Sequence, residues 1–313
     1  SLPVACRRAR VGGGGTAGPA ARLGNRTAAR HVEEGMNRRN FLTALIGTPA
    51  LAAFLAACGD DTTQSSSDNS LAGALDEVVL RIGYEGGFVP AGTSFLNLPT
   101  VLVTGDGRVF TPGAVPAVYP GPLLQPMFER SITEQGIATL IEMADAAGLL
   151  GVAPDYSLPA ENMIADAPDT VVAITVNGTT SVHRAYALGI DSPDGGPSTP
   201  ARDNLLRFVT QVTDVATAVG SGNVGSEAAF APDGYRFQAM VVDPTQWADP
   251  APTIVEWPAD AGAVLADSTQ CAVLAGAVGD SLFVTAALLT FFQEAEPVYQ
   301  LSVAGVLPGD LSC

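Results

Sequence analysis

Lysine does not occur in this 313-residue chain, and histidine occurs only as His31 and His183. Without lysine there can be no phosphate loop of the lysine-bearing kind. Two histidines cannot build a zinc centre of several imidazoles. Aromatic residues make up 6% of the chain, too few for a platform that stacks sugars or bases. With no other histidine after residue 36, any Ser-His or Cys-His nucleophile there would have to use His183.

Positive charge is scarce as well as uniform in type. The formal net charge is −17. Residues 1–57 hold eight Arg and two Glu, a balance of +6, and the remainder holds seven Arg against thirty Asp and Glu, a balance of −23. An exported body this acidic repels nucleic acid and anionic headgroups, so neither is an expected partner.

The chain does contain one long apolar run, and it lies well inside the sequence. Met36 is followed by Arg38-Arg39-Asn40-Phe41-Leu42, and the run from Phe41 to Ala57 ends in Leu55-Ala56-Ala57-Cys58. A charged start, an apolar middle and small residues before a cleavage point are the parts of an export signal. The run is at the short limit for a membrane span and carries Gly47 and Pro49, so it reads as a cleaved signal. Arg38-Arg39 with Phe41-Leu42 resembles the twin-arginine export consensus. LAAC resembles the bacterial lipobox, in which the cysteine is diacylated, as with palmitate, and becomes the mature N-terminus. The expected organisation is an upstream leader at 1–35 that precedes the true start, a lipoprotein signal peptide at 36–57, lipidated Cys58 with a polar tether to residue 70, and a globular domain at 71–313. Two acyl chains suffice for stable attachment. The expected address is the extracytoplasmic face of the cell membrane, with the membrane as a partner through the lipid anchor.

Of the four cysteines, Cys6 falls in the leader and Cys58 takes lipid, leaving Cys271 and Cys313. Two cysteines in an exported domain more often pair than bind metal, so a disulfide between them is expected.

The domain at 71–313 alternates hairpins with helices. Val78 to Ile82 reads as a strand. Thr100 to Thr104 and Arg108 to Thr111 flank Gly105-Asp106-Gly107, a tight hairpin. Ser131 and Glu134 fit a capping box for a helix whose apolar stripe is Ile137, Leu140, Ile141 and Ala144, closed by Gly148. Thr170 to Val176 and Thr180 to Leu188 flank Asn177-Gly178, a second hairpin. Thr199-Pro200 opens a helix with Leu205, Leu206, Val209, Val212 and Val215 on one stripe. A third round has strands at Tyr235 to Val242 and Thr253 to Trp257, a helix over Ser281 to Gln293 and a strand over Pro297 to Val306. The expected fold is α+β: antiparallel sheets of hairpins with about three packed helices, in a weak hairpin-helix repeat. Connections between paired strands read as too short for parallel crossovers.

Leu98-Pro99 ahead of TGDGRVF, ITEQGIATLIEMADAAGLL, the hairpin ending AYALG, Trp257-Pro258 and the closing VLPGDLSC together resemble a group of exported actinobacterial lipoproteins of uncharacterised function. The resemblance spans most of residues 78–313. It implies lipoprotein or secreted status and the Cys271–Cys313 bond, and it carries no catalytic residues.

Few residues point to chemistry. Gly279-Asp280-Ser281-Leu282 spells the GDSL of a hydrolase family, but only 31 residues follow and they contain no histidine. Asp280 or Ser281 reads instead as a helix cap. His183 lies in a strand, on a face shared with Ala185 and Ala187, where a surface or cross-strand role is expected. Asp166 and Asp169 read as residues that shape the start of a strand through Asx turns. Asp191, Asp194 and Gly195-Gly196 only loosely match a calcium loop. No catalytic, cofactor-binding or metal-binding residue is assigned, and no cofactor is expected. The expected function is a non-enzymatic, membrane-tethered module of the cell envelope that binds a protein or small ligand. The alternative is an envelope hydrolase acting through paired carboxylates.

Overall fold

The structure, a computed structural model, describes residues 77–89, 92–158, 164–190, 198–310 and 313. The leader at 1–35, the signal at 36–57 with Arg38 and Arg39, the tether at 58–70 with Cys58, and the stretch from Asp191 to Gly196 lie outside the described residues. Among the described residues no helix is long and apolar enough to cross a membrane.

Local turn chemistry sets the first half. Val78–Gly86 (β1) leads through residues 92–100 to a hairpin of Val101–Thr104 (β2) and Arg108–Pro112 (β3). Gly107 takes φ +82° at the turn, and a β-carbon there would collide with the Ile132 carbonyl. Met127–Ser131 (β4), a strand the sequence pattern does not announce, precedes the helix Glu134–Ala146 (α1). Pro168–Val176 (β5) and Thr179–Tyr186 (β6) form a hairpin around Asn177 and Gly178, both at positive φ (51° and 71°). The helices Pro200–Thr213 (α2) and Val215–Val219 (α3) and the two-residue strand Ala228–Ala229 (β7) follow. These strands make a seven-stranded sheet, β6-β5-β1-β2-β3-β4-β7, with every neighbouring pair antiparallel.

The helices cover one face of this sheet. Ile137, Leu140, Ile141 and Ala144 of α1, as the spacing predicts, join Leu205, Phe208, Val209 and Val212 of α2 over Ile82, Val101, Val103, Val172 and Ile174. The cap of α1 is Thr133, not Ser131: the Gly136 N–H donates to Thr133 Oγ1 at 3.1 Å, while Ser131 is still paired in β4 with Arg108. Thr199 caps α2 as expected, accepting from the Arg202 N–H at 3.2 Å. The buried stripe of α2 runs through Phe208, which is 1% exposed, rather than Leu206, which is 37% exposed. Position i+3 from Leu205 faces the sheet and i+1 does not. Val215 lies beyond a break at Asp214 and belongs to α3.

The second half carries less helix. Gly234–Val242 (β8), Thr253–Glu256 (β9), Ala272–Ala275 (β10), the helix Gly276–Phe283 (α4), Thr290–Gln293 (β11) and Val298–Gly305 (β12) give a five-stranded sheet, β10-β8-β12-β11-β9. The helix expected over Ser281 to Gln293 is corrected on both sides. α4 begins five residues earlier, and residues 290–293 are strand, with Thr290, Phe291 and Phe292 buried. β11 pairs parallel with β9, so the expectation of antiparallel pairing throughout is corrected too. The connection between them passes through β10 and α4 and is long enough for a crossover. The core here is aromatic, with Tyr235, Phe237, Trp257, Phe283, Phe292 and Tyr299 in one cluster. A small third cluster of Leu102, Phe110, Met127 and Leu307 joins the helix-free face of the first sheet to the chain leaving β12.

Candidate functional site

Alternation along β1 and β5 builds the floor of a cavity on the helix-free face of the first sheet. In register, Arg81 opposes Ala173, Gly83 opposes Val171 and Glu85 opposes Asp169. Side chains at this spacing share one face. Ile82 and Val172, which lie between them, go to the helix side. Phe95, Asn97, Leu98 and Pro99 form one wall, Arg236 of β8 contributes from the second sheet, and Cys271, Gly309, Asp310 and Cys313 close the far side. The cavity is open to solvent on one side, and its volume is about 660 Å³. That lies within the range of roughly 300–1,000 Å³ common to small-molecule sites. Gly83 keeps the floor open: an added β-carbon would meet nothing nearer than Pro99 Cα at 3.8 Å.

Two guanidinium groups converge here on one carboxylate. Arg81 Nη1 donates to Asp310 Oδ1 at 3.4 Å, and Arg236 Nε lies 3.3 Å from Asp310 Oδ2. The second pair is close enough for charge attraction but misdirected for a hydrogen bond. Arg236 Nε, though buried, therefore donates to nothing among the described residues. The Asp310 side chain is 7% exposed, and Oδ2 also accepts from the Leu307 N–H at 3.0 Å. The Arg236 guanidinium carbon sits 4.8 Å from the Phe95 ring centroid, a cation–π contact. At the outer end Arg184 binds Glu85 at 2.5 Å and Asp169 at 3.1 Å, and these hydrogen bonds raise its pKa.

Cys271 and Cys313 are brought together with Cα atoms 5.1 Å apart, within disulfide reach, and both line the cavity. Arg81, Arg236 and Asp310 were not singled out by sequence reasoning. The scarcity of cations does not single them out, because Arg81, Arg108, Arg130, Arg184 and Arg236 all lie in strands.

The remaining sequence candidates lie elsewhere. His183 is fully buried, which corrects the surface or cross-strand role expected of it. It opposes Val172 on the face covered by helices, with Nδ1 2.8 Å from the Tyr156 hydroxyl and Nε2 2.9 Å from the Leu149 carbonyl. Burial raises the Tyr156 pKa. Neither Asp280 nor Ser281 caps a helix, because both lie inside α4. Asp280 accepts from the Tyr235 hydroxyl at 2.5 Å, and Ser281 Oγ donates to the Val278 carbonyl at 2.7 Å. Gly279 lets that helix touch the Tyr235 ring, where a β-carbon would collide. Asp166 adopts φ 61° just before β5. A G-x-G-x-x-G spacing from Gly220 to Gly225 follows a helix and leads to β7. It is therefore not the strand-to-helix turn that a dinucleotide site requires. Among the described residues no group of three or more His, Cys, Asp or Glu is placed to hold a metal ion.

No protein family, no curated protein and no solved structure matches the chain.

Proposed function

We propose that the chain is a membrane-tethered lipoprotein of the cell envelope whose globular part binds a small ligand without transforming it. The observation that carries the binding half is the cavity between the sheets, lined by two arginines that share one carboxylate partner. The tether rests on the run from Arg38 to Cys58, whose sequence is that of an export signal ending in a lipidation site. The reading as a hydrolase with paired carboxylates draws no support from the cavity. Its carboxylates, Glu85 and Asp310, are each held by arginine, whereas a general acid needs a carboxyl kept neutral.

Two measurements on protein expressed in an actinobacterial host test this. Cell fractionation should find the chain in the membrane fraction with a mature N-terminus at lipidated Cys58, and Cys58→Ser should move it to the soluble fraction. Native mass spectrometry of the purified protein should show a small-molecule adduct. Gly83→Leu, which fills the floor of the cavity, should remove that adduct. An intact mass that retains residues 1–57 overturns the tether, and an adduct-free parent protein overturns the binding reading.

A further inference from the structure

We infer that the cavity takes a small organic anion, a carboxylate or phosphate monoester carried on an apolar body, and that Arg81 and Arg236 grip its acidic group. This rests on the reading of the chain as a binding module and names the class of ligand for that site.

Arg202 and Arg207 have no carboxylate partner among the described residues and bond to carbonyl or amide oxygens, while the other five arginines differ in how their charge is matched. Arg108 is matched by Glu129, Arg130 by Glu227, and Arg184 by both Glu85 and Asp169. Arg81 and Arg236 share one carboxylate, Asp310, as their salt-bridge partner among the described residues. Asp310 cannot move to satisfy both partners better, because it is also tied to the Leu307 N–H and sits beside the Cys271–Cys313 pair.

Donor geometry points the same way. A guanidinium group offers five N–H donors in a rigid fork suited to a carboxylate or phosphate. Arg81 engages Asp310 through Nη1 only, and Arg236 approaches it through Nε only. Their other nitrogens make no hydrogen bond among the described residues. The cation–π contact with Phe95 restrains the Arg236 side chain, so less rotamer freedom is lost when an anion docks.

Much of the remaining lining is apolar, with Asn97, Tyr84 and Glu85 as its polar members. Leu98, Pro99, Val171 and Ala173 offer no charge and suit a hydrocarbon or ring rather than a sugar. The outer Arg184 cluster has two carboxylates for one guanidinium, so a ligand's acidic group is disfavoured there and directed inward.

The test is titration calorimetry on the full chain with octanoate, phenyl phosphate, inorganic phosphate and octanamide. Octanoate and phenyl phosphate should bind. Inorganic phosphate should bind more weakly and compete with them, and octanamide should bind at least about tenfold more weakly, since a charged hydrogen bond is lost. Arg81→Met and Arg236→Met should each weaken octanoate by about tenfold or more. Arg236→Lys, which keeps the charge but loses the fork, should fall between, and Gly83→Leu should abolish binding. Asp310→Asn should tighten anion binding by removing the competing charge. Should Arg236→Met fail to fold, Arg81→Met, Gly83→Leu and Asp310→Asn carry the same test. Octanamide binding as tightly as octanoate overturns the anionic grip. Anion binding that survives unchanged in both arginine variants and in Gly83→Leu also overturns it, by placing the ion elsewhere. Absence of anion binding overturns it as well, while the adduct measurement decides the binding reading separately.

Discussion

The two halves of the domain bury apolar surface by different means. Under α1 and α2 the core is aliphatic: Val, Ile and Leu from the sheet meet Leu, Ile and Val from the helices, with Phe208 and Tyr156 as its aromatic members. Around the five-stranded sheet there is less helix, and the core is concentrated in six aromatic side chains. Phe283 lies at its centre, with ring centroids 5.6 Å from Tyr235, 6.3 Å from Phe237, 6.4 Å from Trp257 and 5.9 Å from Phe292. Long amphipathic helices spread burial over many similar positions. An eight-residue helix has few inward positions, and in α4 the buried Phe283 fills much of that space.

The largest effect should therefore come from Phe283→Ala. The ring is fully buried, and its loss leaves a cavity that four rigid neighbours cannot close. We expect a loss of about 3–5 kcal/mol. Leu205→Ala, equally buried in the aliphatic half, should cost about 2–4 kcal/mol, because helices can shift inward. Chemical denaturation of both variants checks the order. Equal losses would break the distinction between the two cores.

Cys313→Ser comes next. The cysteines are 42 residues apart in sequence, and their bond would restrain the unfolded chain over β10, α4, β11 and β12. The expected loss is about 2–4 kcal/mol. Because the closed loop lies entirely in the aromatic half, the near-ultraviolet dichroism of that cluster should weaken at lower denaturant than the helical signal. Two free thiols per chain, counted by alkylation of the unreduced protein, would show that no such bond contributes.

Legibility from sequence follows the same division. α1, α2 and the two hairpins were readable because their signals are local: an Asn-Gly turn, a Thr-Pro start, a stripe at i, i+3, i+4 and i+7. α4 and β11 were not. Residues from Ser281 to Gln293 are almost continuously apolar, so periodicity cannot separate helix from strand there. What decides is tertiary: Thr290 to Gln293 hydrogen-bond to β9, while Leu288 N–H is taken by the Gly121 carbonyl. The cavity is less legible still. Arg81 and Asp310 meet from positions 229 residues apart, and no local pattern marks them as partners. The mistaken cap at Ser131 has the same origin, since pairing of that residue in β4 with Arg108 moved the helix start to Thr133. The parts that concern residues 1–70 lie outside the described structure and rest on sequence alone.

A pH experiment sharpens the comparison through Tyr235. Burial, aided by its bond to Asp280, pushes its pKa well above the usual phenol range. The sign follows from which state holds the proton. Above about pH 10 the unfolded phenol ionises while the folded one does not, so the unfolded state binds fewer protons and stability falls as pH rises. That contribution is fully present below about pH 10 and is lost through the folded pKa above it. Tyr235→Phe removes the titration and the hydrogen bond together. Near neutral pH it should cost about 1–2 kcal/mol, and the alkaline decline measured by thermal melting should become shallower. An unchanged alkaline slope would assign that decline to other groups.

The smallest expected effect reverses the usual sign, and it concerns how helices begin in the two halves. α1, α2 and α3 start on Thr133, Thr199 and Asp214, each accepting a backbone N–H from its first turn. α4 starts on Ala275, which has extended backbone angles of φ −62° and ψ 148° but no side chain able to accept. Thr133→Ala should cost about 1 kcal/mol, since it strips an N–H of its partner and also breaks the bond from Thr133 Oγ1 to Asn223 Oδ1. Ala275→Ser should instead gain about 0.5 kcal/mol, by supplying an oxygen to an N–H in the first turn of α4 where backbone conformation already suits a cap. Serine is preferable to aspartate, because Asp233 borders this turn through its carbonyl and the body is already strongly acidic. Ala275 is exposed, so nothing must repack around the added hydroxyl. Thermal melting of the two variants side by side should move in opposite directions. A gain at Ala275 as large as the loss at Thr133 would mean that α4 frays in the parent protein and that the aromatic half owes part of its weakness to its helix end rather than to its core.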